Sequence, residues 1–351
     1  MKIYRYQHPF HLECGDTLPE IELGYTTYGR LNPEGDNVVW ICHALTANSD
    51  PVEWWPGLVG EGKLYNPEDS FIVCANMLGS CYGSTNPDSI DKATGTRYGE
   101  DFPLITVRDI VKALVLLRIH LGIKSIHIAT GGSMGGQQAL EWAIMEPDVI
   151  KHLIVIGTNA KHSPWGVAFN ETQRMALEAD LSINEDSENA GMKGLEAARA
   201  IAMLSYRNYQ AYHLTQMEDE EKLDDFKASS YQRYQGLKLR KRFRPLAYWT
   251  LSKAMDSHDL GRGRGGYRQA LSIIRARTLV FGIESDYLFP VSEQKEISEH
   301  INDATLEIID SPFGHDGFLI EYAQITHKVH EFLDQEKSLN TDKDSINGSK
   351  T

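Results

Sequence analysis

Apolar runs that predict buried strands alternate with helical periodicities over most of the chain. Continuous apolar runs are typical of strands that are covered on both faces of a parallel sheet. Residues 38–42 form such a run, and further strand-like segments rich in apolar residues occupy 71–75, 126–129, 153–157, 278–283 and 304–309. Residues 20–29 alternate apolar with small or polar side chains, as a half-buried strand does, and residues 107–121 carry apolar side chains at helical spacing. This alternation predicts a doubly wound, mostly parallel α/β sheet.

The pattern changes between residues 160 and 260, where helical periodicity replaces the strand-like runs. We interpret this segment as a helical cap, inserted into an α/β core that is formed by residues 1–159 and 261–333. The glycine-rich sequence at residues 261–266 fits a turn that leads out of the cap. Residues 334–351 are polar and lack an apolar period, which predicts a disordered tail.

A Gly-x-Ser-x-Gly sequence follows the strand predicted at residues 126–129. Gly131, Ser133 and Gly135 lie between this strand and a helical pattern that begins at once. A strand, a sharp turn and a helix in this order form the nucleophile elbow of the α/β-hydrolase fold, in which the serine is strained and exposed. Glycines are needed on both sides because a Cβ would clash where the strand and the helix meet. Ser133 is therefore the predicted nucleophile.

Two further residues complete a catalytic triad in the chain order that this fold requires. Asp286 follows the penultimate predicted strand, and His315 follows the last one. Of the thirteen histidines, only His315 occupies that position. Glu284 and Asp316 are less well placed to orient the imidazole, because one lies closer to the strand and the other is adjacent to the histidine. The order serine, aspartate, histidine predicts nucleophilic acyl chemistry.

Backbone N–H groups beside Ser133 are predicted to form an oxyanion hole. The N–H of Met134 lies at the start of the elbow helix, whose positive dipole end faces the nucleophile. In this fold the loop after the strand at residues 38–42 supplies a second N–H, and Leu45 is our candidate donor. We assign His43, at the end of the same strand, to shaping that loop rather than to proton transfer.

Composition restricts the partners and the compartment. The 351 residues carry a formal charge of −14, which argues against a nucleic acid or an anionic membrane as a partner. The N-terminus lacks the apolar core of a signal peptide and no stretch reaches the length of a membrane span, so we expect a cytoplasmic location. The four cysteines show no metal-ligand spacing, and no metal site is predicted. We interpret a basic cluster at residues 238–244 as a solvated helix face, with contact to a polyanionic donor as the alternative.

Several longer phrases resemble those of a known family. They are CHALT at 42–46, DFPLITVRD at 101–109, GGSMGG at 131–136, IESD at 283–286 and SPFGHD at 311–316. In these phrases, which are far more specific than the elbow pentapeptide, the chain is similar to the homoserine O-acetyltransferases from about residue 25 to residue 332. The chain departs from the residues that are usual in this family at Ala47, Asp50 and Gln137. These departures concern the preference for donor and acceptor rather than the chemistry.

The resemblance implies a cytoplasmic homodimer that transfers an acetyl group from acetyl-CoA to the hydroxyl of L-homoserine. This would be the first committed step toward methionine, with acetyl-CoA as co-substrate and no bound cofactor. By motif, the resemblance implies that Ser133 is the nucleophile, His315 the base and Asp286 its partner. Arg199 and Asp316 match the family's substrate-binding positions. Both residue types suit an acyl transfer, because transfer in place of hydrolysis needs fixed partners for the carboxylate and the ammonium of the acceptor.

The sequence leaves other functions open. An esterase would use the same triad, and L-serine as the acceptor differs from L-homoserine by one methylene, which a pocket distinguishes by only about 1 to 3 kcal/mol. A non-catalytic ligand receptor of this fold is disfavoured because all three triad residues are present.

Acetyl-CoA is expected as the donor rather than succinyl-CoA. A succinyl carboxylate buried near the elbow would need a cation. The segments expected to line the acyl pocket, residues 43–50, 77–87 and 134–138, contain no Lys or Arg. The cap, for example through Arg207, is the remaining source of such a cation.

Overall fold

The computed structural model describes residues 1–185 and 187–348, with side chains up to residue 335. Its strands are β1 (Lys2–Tyr6), β2 (Phe10–His11), β3 (Thr17–Leu18), β4 (Ile21–Tyr28), β5 (Val38–Cys42), β6 (Phe71–Ala75), β7 (Ile126–Gly132), β8 (Ile150–Ile156), β9 (Arg277–Ile283) and β10 (Ala304–Ile309).

The helices of the described residues are α1 (Pro51–Trp54), α2 (Val107–His120), α3 (Met134–Met145), α4 (Pro164–Glu178), α5 (Met192–Tyr206), α6 (Tyr209–Gln216), α7 (Lys227–Arg240), α8 (Pro245–Asp256), α9 (Tyr267–Leu271), α10 (Val291–His300) and α11 (Tyr322–Gly348). Two short 3-10 helices cover Gly99–Asp101 and Gly314–Leu319. None of these helices is both long and apolar enough to cross a membrane.

Eight strands form one sheet in the order β1-β4-β6-β5-β7-β8-β9-β10, and β2 pairs with β3 in a separate ribbon. The strands from β6 to β10 along the sheet are parallel, whereas β4 is antiparallel to both β1 and β6. The mostly parallel α/β-hydrolase sheet predicted from the sequence is therefore confirmed. After β5 the chain moves to β6 on one side and later to β7 on the other. Ligands of such sheets bind where the strand order reverses, beyond the carboxyl ends of the strands.

The two faces of the sheet bury alternate residues of the same strands. In β5, Trp40 packs edge-on against Trp142 of α3, with ring centroids 4.8 Å apart, while Ile41 belongs to the opposite cluster together with Val329 of α11. The continuous apolar run of this strand is thereby explained, because each of its residues faces a covering layer. Thr106 and Asp109 form the predicted capping box at the start of α2.

The largest differences between the sequence-based elements and the structure concern β1, β7, β8 and the C-terminal tail. β1 was absent from the predicted elements because only Tyr4 of this five-residue edge strand is buried, so it shows no apolar run. β7 and β8 extend beyond the predicted bounds, to Gly132 and back to Ile150. The tail predicted to be disordered at 334–351 continues α11 as far as Gly348, and residues 349–351 lie outside the described residues. A helix already packed on the sheet extends at low cost, since only its first turn needs nucleation.

The cap contains the helices from α4 to α8, which lie between β8 and β9 along the chain. α5 packs against both α4 and α7, and it also touches the 3-10 helix Gly314–Leu319. That short helix carries the predicted catalytic histidine. The cap is therefore positioned over the carboxyl edge of the sheet, where the elbow and the loop after β5 emerge.

Candidate active site

The elbow serine adopts a strained backbone conformation. Ser133 has φ 57° and ψ −128°, and its N–H and C=O are held by the Ile156 carbonyl at 2.9 Å and the Thr158 hydroxyl at 2.8 Å. A Cβ on Gly131 would lie 2.8 Å from the carbonyl oxygen of Cys42, and one on Gly135 would lie 2.1 Å from the same atom. Both glycines are therefore required by the close approach of β5 to the elbow, as the sequence predicted.

His315 and Asp286 are in contact through a short hydrogen bond. The Nδ1 of His315 lies 2.6 Å from Oδ2 of Asp286, and both residues are only 3% exposed. The imidazole stacks on Phe289, with ring centroids 5.0 Å apart, and meets Phe318 edge-on. Its Nε2 is buried without a hydrogen-bond partner, and His315 lines the same cavity as Ser133. The ring is thus oriented with its free nitrogen available for a proton.

The two rival carboxylates are placed elsewhere. Glu284 is exposed at the end of β9. Asp316 lines the cavity, and its Oδ2 accepts a hydrogen bond from Nε of Arg207 at 3.0 Å. The structure therefore brings Asp286, and not these residues, into contact with the imidazole.

The loop after β5 approaches the elbow and carries Leu45. Leu45 and Ser133 line the same cavity, and the turn at residues 44–47 is closed by a backbone hydrogen bond of 3.0 Å. His43 is fully buried; its Nε2 accepts the N–H of Met77 at 3.1 Å. Burial lowers the pKa of His43 to about 4, so its ring is neutral at physiological pH. Its burial and its bond to Met77 are consistent with the prediction that His43 shapes this loop rather than transferring a proton.

Met134 is the first residue of α3 and follows Ser133 directly. The N–H groups in the first turn of a helix have no intrahelical acceptor, so this one is available to an anion beside the serine. The assignment of the Leu45 and Met134 N–H groups as oxyanion donors stays a prediction from the fold.

A cavity of about 340 Å³ lies above the triad and is strongly charged. Arg199 of α5, Lys238 of α7 and Arg242 line it together with Glu53 and Asp316. The segments at residues 43–50, 77–87 and 134–138 contribute no cation to this cavity; its cations come from the cap, the source that the sequence left open. Within the basic cluster at residues 238–244, Lys238 and Arg242 are exposed, as a solvated face predicts, and they also line this cavity. Arg207, which the sequence suggested as a source of charge, instead contacts Asp316 and stacks over Tyr231.

Arg199 has no carboxylate partner among the residues that the structure describes. Its guanidinium lies over the ring of Tyr206, 5.2 Å from the centroid, and makes no hydrogen bond there. A half-buried guanidinium without an anion, in a cavity that also contains the nucleophile, is suited to bind a carboxylate. Sequence reasoning missed Tyr206, and it missed the pairing of Arg207 with Asp316, because neither residue belongs to a motif with a known spacing.

A second carboxyl group lies behind the triad. Glu293, in the first turn of α10, accepts a hydrogen bond from the side-chain amide of Asn159 at 3.0 Å. Burial raises its pKa to about 7, against the lowering effect of hydrogen bonds from Asn159 and Ser163, and the nearby charge of Asp286 raises it further. The charge of Glu293 therefore changes near neutral pH.

Comparisons with known proteins agree with this geometry. A family model described as the alpha/beta hydrolase fold matches residues 37–322. The homoserine O-acetyltransferase of Cyclobacterium marinum is 52% identical over 331 residues, which cover 94% of each chain. The crystal structure of homoserine O-acetyltransferase from Bacillus anthracis superposes with a TM-score of 0.86 at 26% identity, covering 95% of this chain and 97% of that one. The acetyl esterase MekB superposes with a TM-score of 0.84 at 25% identity, covering 95% and 96%. The chain belongs to the homoserine O-acetyltransferase family of α/β-hydrolase-fold enzymes.

Proposed function

We propose that the chain transfers an acetyl group from acetyl-CoA to the hydroxyl of L-homoserine through an acyl-enzyme on Ser133. The observation that carries the proposal is the cavity that joins the Ser133 elbow and the oriented His315 to the guanidinium of Arg199, which has no carboxylate partner in the described part of the chain. Membership of the family supports the choice of acetyl donor and homoserine acceptor. The triad alone would serve an esterase equally well.

In the first half-reaction, Ser133 attacks the thioester carbonyl while Nε2 of His315 takes the hydroxyl proton. Asp286 holds the ring by its Nδ1 and stabilises the imidazolium that forms. The N–H groups of Leu45 and Met134 stabilise the oxyanion. The intermediate collapses to the acetyl ester of Ser133, and coenzyme A leaves with the proton from His315.

In the second half-reaction, His315 removes the proton of the homoserine hydroxyl, which attacks the acetyl ester. The bond between the acetyl carbon and Ser133 Oγ then breaks, His315 returns the proton to Ser133, and O-acetyl-L-homoserine leaves. Arg199 binds the carboxylate of the acceptor and Asp316 binds its ammonium. The bond from Arg207 holds the Asp316 carboxylate in place beside the catalytic histidine. Two fixed charges raise the effective concentration of the acceptor above that of water, so transfer prevails over hydrolysis.

Succinyl-CoA is a second candidate for the donor, and the cations of the cavity are the observation that supports it. Arg242 and Lys238 line the cavity, and either cation suits the carboxylate of a succinyl group. Measuring kcat/KM for acetyl-CoA and succinyl-CoA with L-homoserine decides between them. We expect the higher value with acetyl-CoA; a higher value with succinyl-CoA would assign succinyl transfer.

The acceptor is tested by incubating the purified protein with acetyl-CoA and with L-homoserine, L-serine or buffer alone. We expect O-acetyl-L-homoserine as the main product and release of coenzyme A that depends on L-homoserine. Acetate formed at the same rate in all three mixtures would indicate an esterase. A faster reaction with L-serine would indicate the shorter acceptor.

The wider setting is part of the same proposal. By its family resemblance we expect the enzyme to work as a cytoplasmic homodimer in methionine synthesis. Sedimentation of the purified chain tests the dimer, and growth of a methionine auxotroph that lacks this step tests the pathway.

A further inference from the structure

The turn that carries Leu45 is tied to the cap by one side chain. Arg242 lies just beyond α7; its Nη1 donates to the carbonyl oxygen of Thr46 at 2.5 Å and to the hydroxyl oxygen of Tyr82 at 2.9 Å. Leu45 and Thr46 are the two central residues of the turn at 44–47. The guanidinium therefore holds the residue next to the candidate oxyanion donor.

Apart from the turn itself and the contact of the His43 ring with the Ala44 carbonyl, the other side-chain bonds to the backbone of this loop act near its two ends. At the start, the carbonyl of His43 accepts from the side-chain amide of Gln138 at 3.0 Å. At the end, the carbonyl of Asn48 accepts from the indole N–H of Trp54 at 2.9 Å. In the described part of the chain, Arg242 is the only side chain that donates to the Thr46 carbonyl. Without it, the middle of the loop would keep its own turn and the core packing of the buried Leu45 side chain, but the Thr46 carbonyl would lose the side-chain donor that fixes its direction.

The segment that carries Arg242 is itself fixed on the core. Phe243 is 1% exposed and meets the ring of Tyr82 edge-on, with centroids 5.7 Å apart. Nε of Arg244 lies 2.9 Å from Oδ2 of Asp88. Arg242 thus extends from an anchored backbone, and a charge-assisted hydrogen bond from such a position restrains its acceptor.

We infer that Arg242 is a positioning residue for acylation: by holding the Thr46 carbonyl, it aligns the N–H of Leu45 with the oxyanion that forms at Ser133. The inference rests on the proposed function, from which it takes Leu45 as an oxyanion donor. It adds a route by which docking of the cap completes the oxyanion hole. Such donors act only when they point at the place where the negative charge develops.

Two other roles for Arg242 make different predictions. Arg242 lines the cavity and could therefore bind the phosphates of coenzyme A. In that case its replacement would slow acylation only by donors that carry phosphate. If it merely docked the cap, Arg244 would matter equally, since Arg244 ties the same segment to the core without touching the loop at 43–48. A donor without phosphate and a matched Arg244 variant separate the three roles.

The experiment measures acylation of Ser133 by acetyl-CoA and by p-nitrophenyl acetate, the latter from the burst of p-nitrophenolate. We expect Arg242→Met to lower the acylation rate with both donors by at least about tenfold, a part of the 10²- to 10³-fold effect of losing an oxyanion donor. The concentration of p-nitrophenyl acetate that gives half the maximal rate should be unchanged. Arg242→Lys should restore part of the rate, because an ammonium still reaches the Thr46 carbonyl with one hydrogen bond.

The matched variant Arg244→Met should keep the wild-type burst with p-nitrophenyl acetate. A loss confined to acetyl-CoA in Arg242→Met, or an equal loss in Arg244→Met, would overturn the inference. Thermal denaturation checks that each variant is folded. If Arg242→Met does not fold, Arg242→Lys and Arg244→Lys are compared in its place. Equal acylation rates in these two lysine variants would likewise overturn the inference. A wild-type protein that reacts with p-nitrophenyl acetate but not with acetyl-CoA would disprove the proposed function, while the comparison of variants would still decide the role of Arg242.

Discussion

The carboxylate of Asp286 uses its two oxygens for different tasks. Oδ2 lies 2.6 Å from Nδ1 of His315, while Oδ1 accepts the backbone N–H groups of Leu288 and Phe289 at 2.8 and 2.9 Å. The backbone thereby fixes the rotation of the carboxylate, and the carboxylate fixes the tautomer of the imidazole. A proton must reside on Nδ1, which leaves Nε2 free to act as the base.

Asp286→Asn should lower acyl transfer by roughly 10³- to 10⁴-fold without unfolding the protein. The amide oxygen can keep both backbone bonds, so the amide nitrogen then faces Nδ1 of His315 and favours the tautomer with its proton on Nε2. The measurement is kcat for transfer, together with the melting temperature. Glu284→Gln, an exposed change two residues earlier, is the control. A rate within a few-fold of wild type in Asp286→Asn would remove this residue from the triad.

Arg199→Met should impair the use of L-homoserine far more than acylation by acetyl-CoA. We expect kcat/KM for L-homoserine to fall by at least about 30-fold, because truncating one partner of a hydrogen-bonded charge pair costs about 2 kcal/mol or more. Release of coenzyme A in a single turnover without L-homoserine isolates the acylation step. Equal damage to both steps would show that Arg199 supports the cap through its contact with Tyr206 rather than binding the acceptor.

Much of the site follows from the sequence because its residues lie at the ends of strands. Ser133, Asp286 and His315 each come just past an apolar run, and the parallel sheet brings those ends to one edge. The charge of the cavity does not follow in this way. Lys238 and Arg242 reach the site from the cap, and helical periodicity alone does not say how a cap is docked.

The glycine-rich turn at residues 261–266 is another case in which the sequence predicts the local structure but not the tertiary contacts. Its glycines predicted a turn, and Gly263, Gly265 and Gly266 indeed have positive φ. Its two arginines, however, form ion pairs with carboxylates that lie more than a hundred positions earlier in the sequence. Arg262 contacts Glu13, and Arg264 contacts Glu141 of α3. Such pairs are set by tertiary packing, and no local pattern in a single sequence encodes them.

The pairing of Glu13 predicts a contribution to stability that depends on pH. Burial alone would raise the pKa of Glu13, but hydrogen bonds from Arg262 and Thr106 and the charges of Arg262 and Arg108 lower it to about 2. A carboxylate with a lowered folded-state pKa stabilises the protein above its unfolded-state value near 4.5, and this contribution is lost as the pH falls toward 2.

Glu13→Gln should therefore reduce the free energy of unfolding at pH 7 by roughly 1 kcal/mol, once solvent screening is taken into account. The difference from wild type should shrink between pH 4.5 and pH 2. Urea denaturation over this range measures it. Glu22→Gln, which breaks the exposed pair with Arg5, is the control and should have little effect at any pH. A Glu13→Gln difference that stays constant with pH would contradict the assigned cause.

Acetylation of Ser133 is the step on which the whole account depends, and intact-protein mass spectrometry observes it directly. Wild-type protein mixed with acetyl-CoA, without an acceptor, should gain the mass of one acetyl group, and peptide mapping should place that group on the peptide that contains Ser133. Adding L-homoserine should remove that group and yield an equal amount of O-acetyl-L-homoserine, whereas folded Ser133→Ala should remain unmodified. Formation of O-acetyl-L-homoserine with both substrates present, but no acetylated protein on any timescale with acetyl-CoA alone, would contradict the acyl-enzyme.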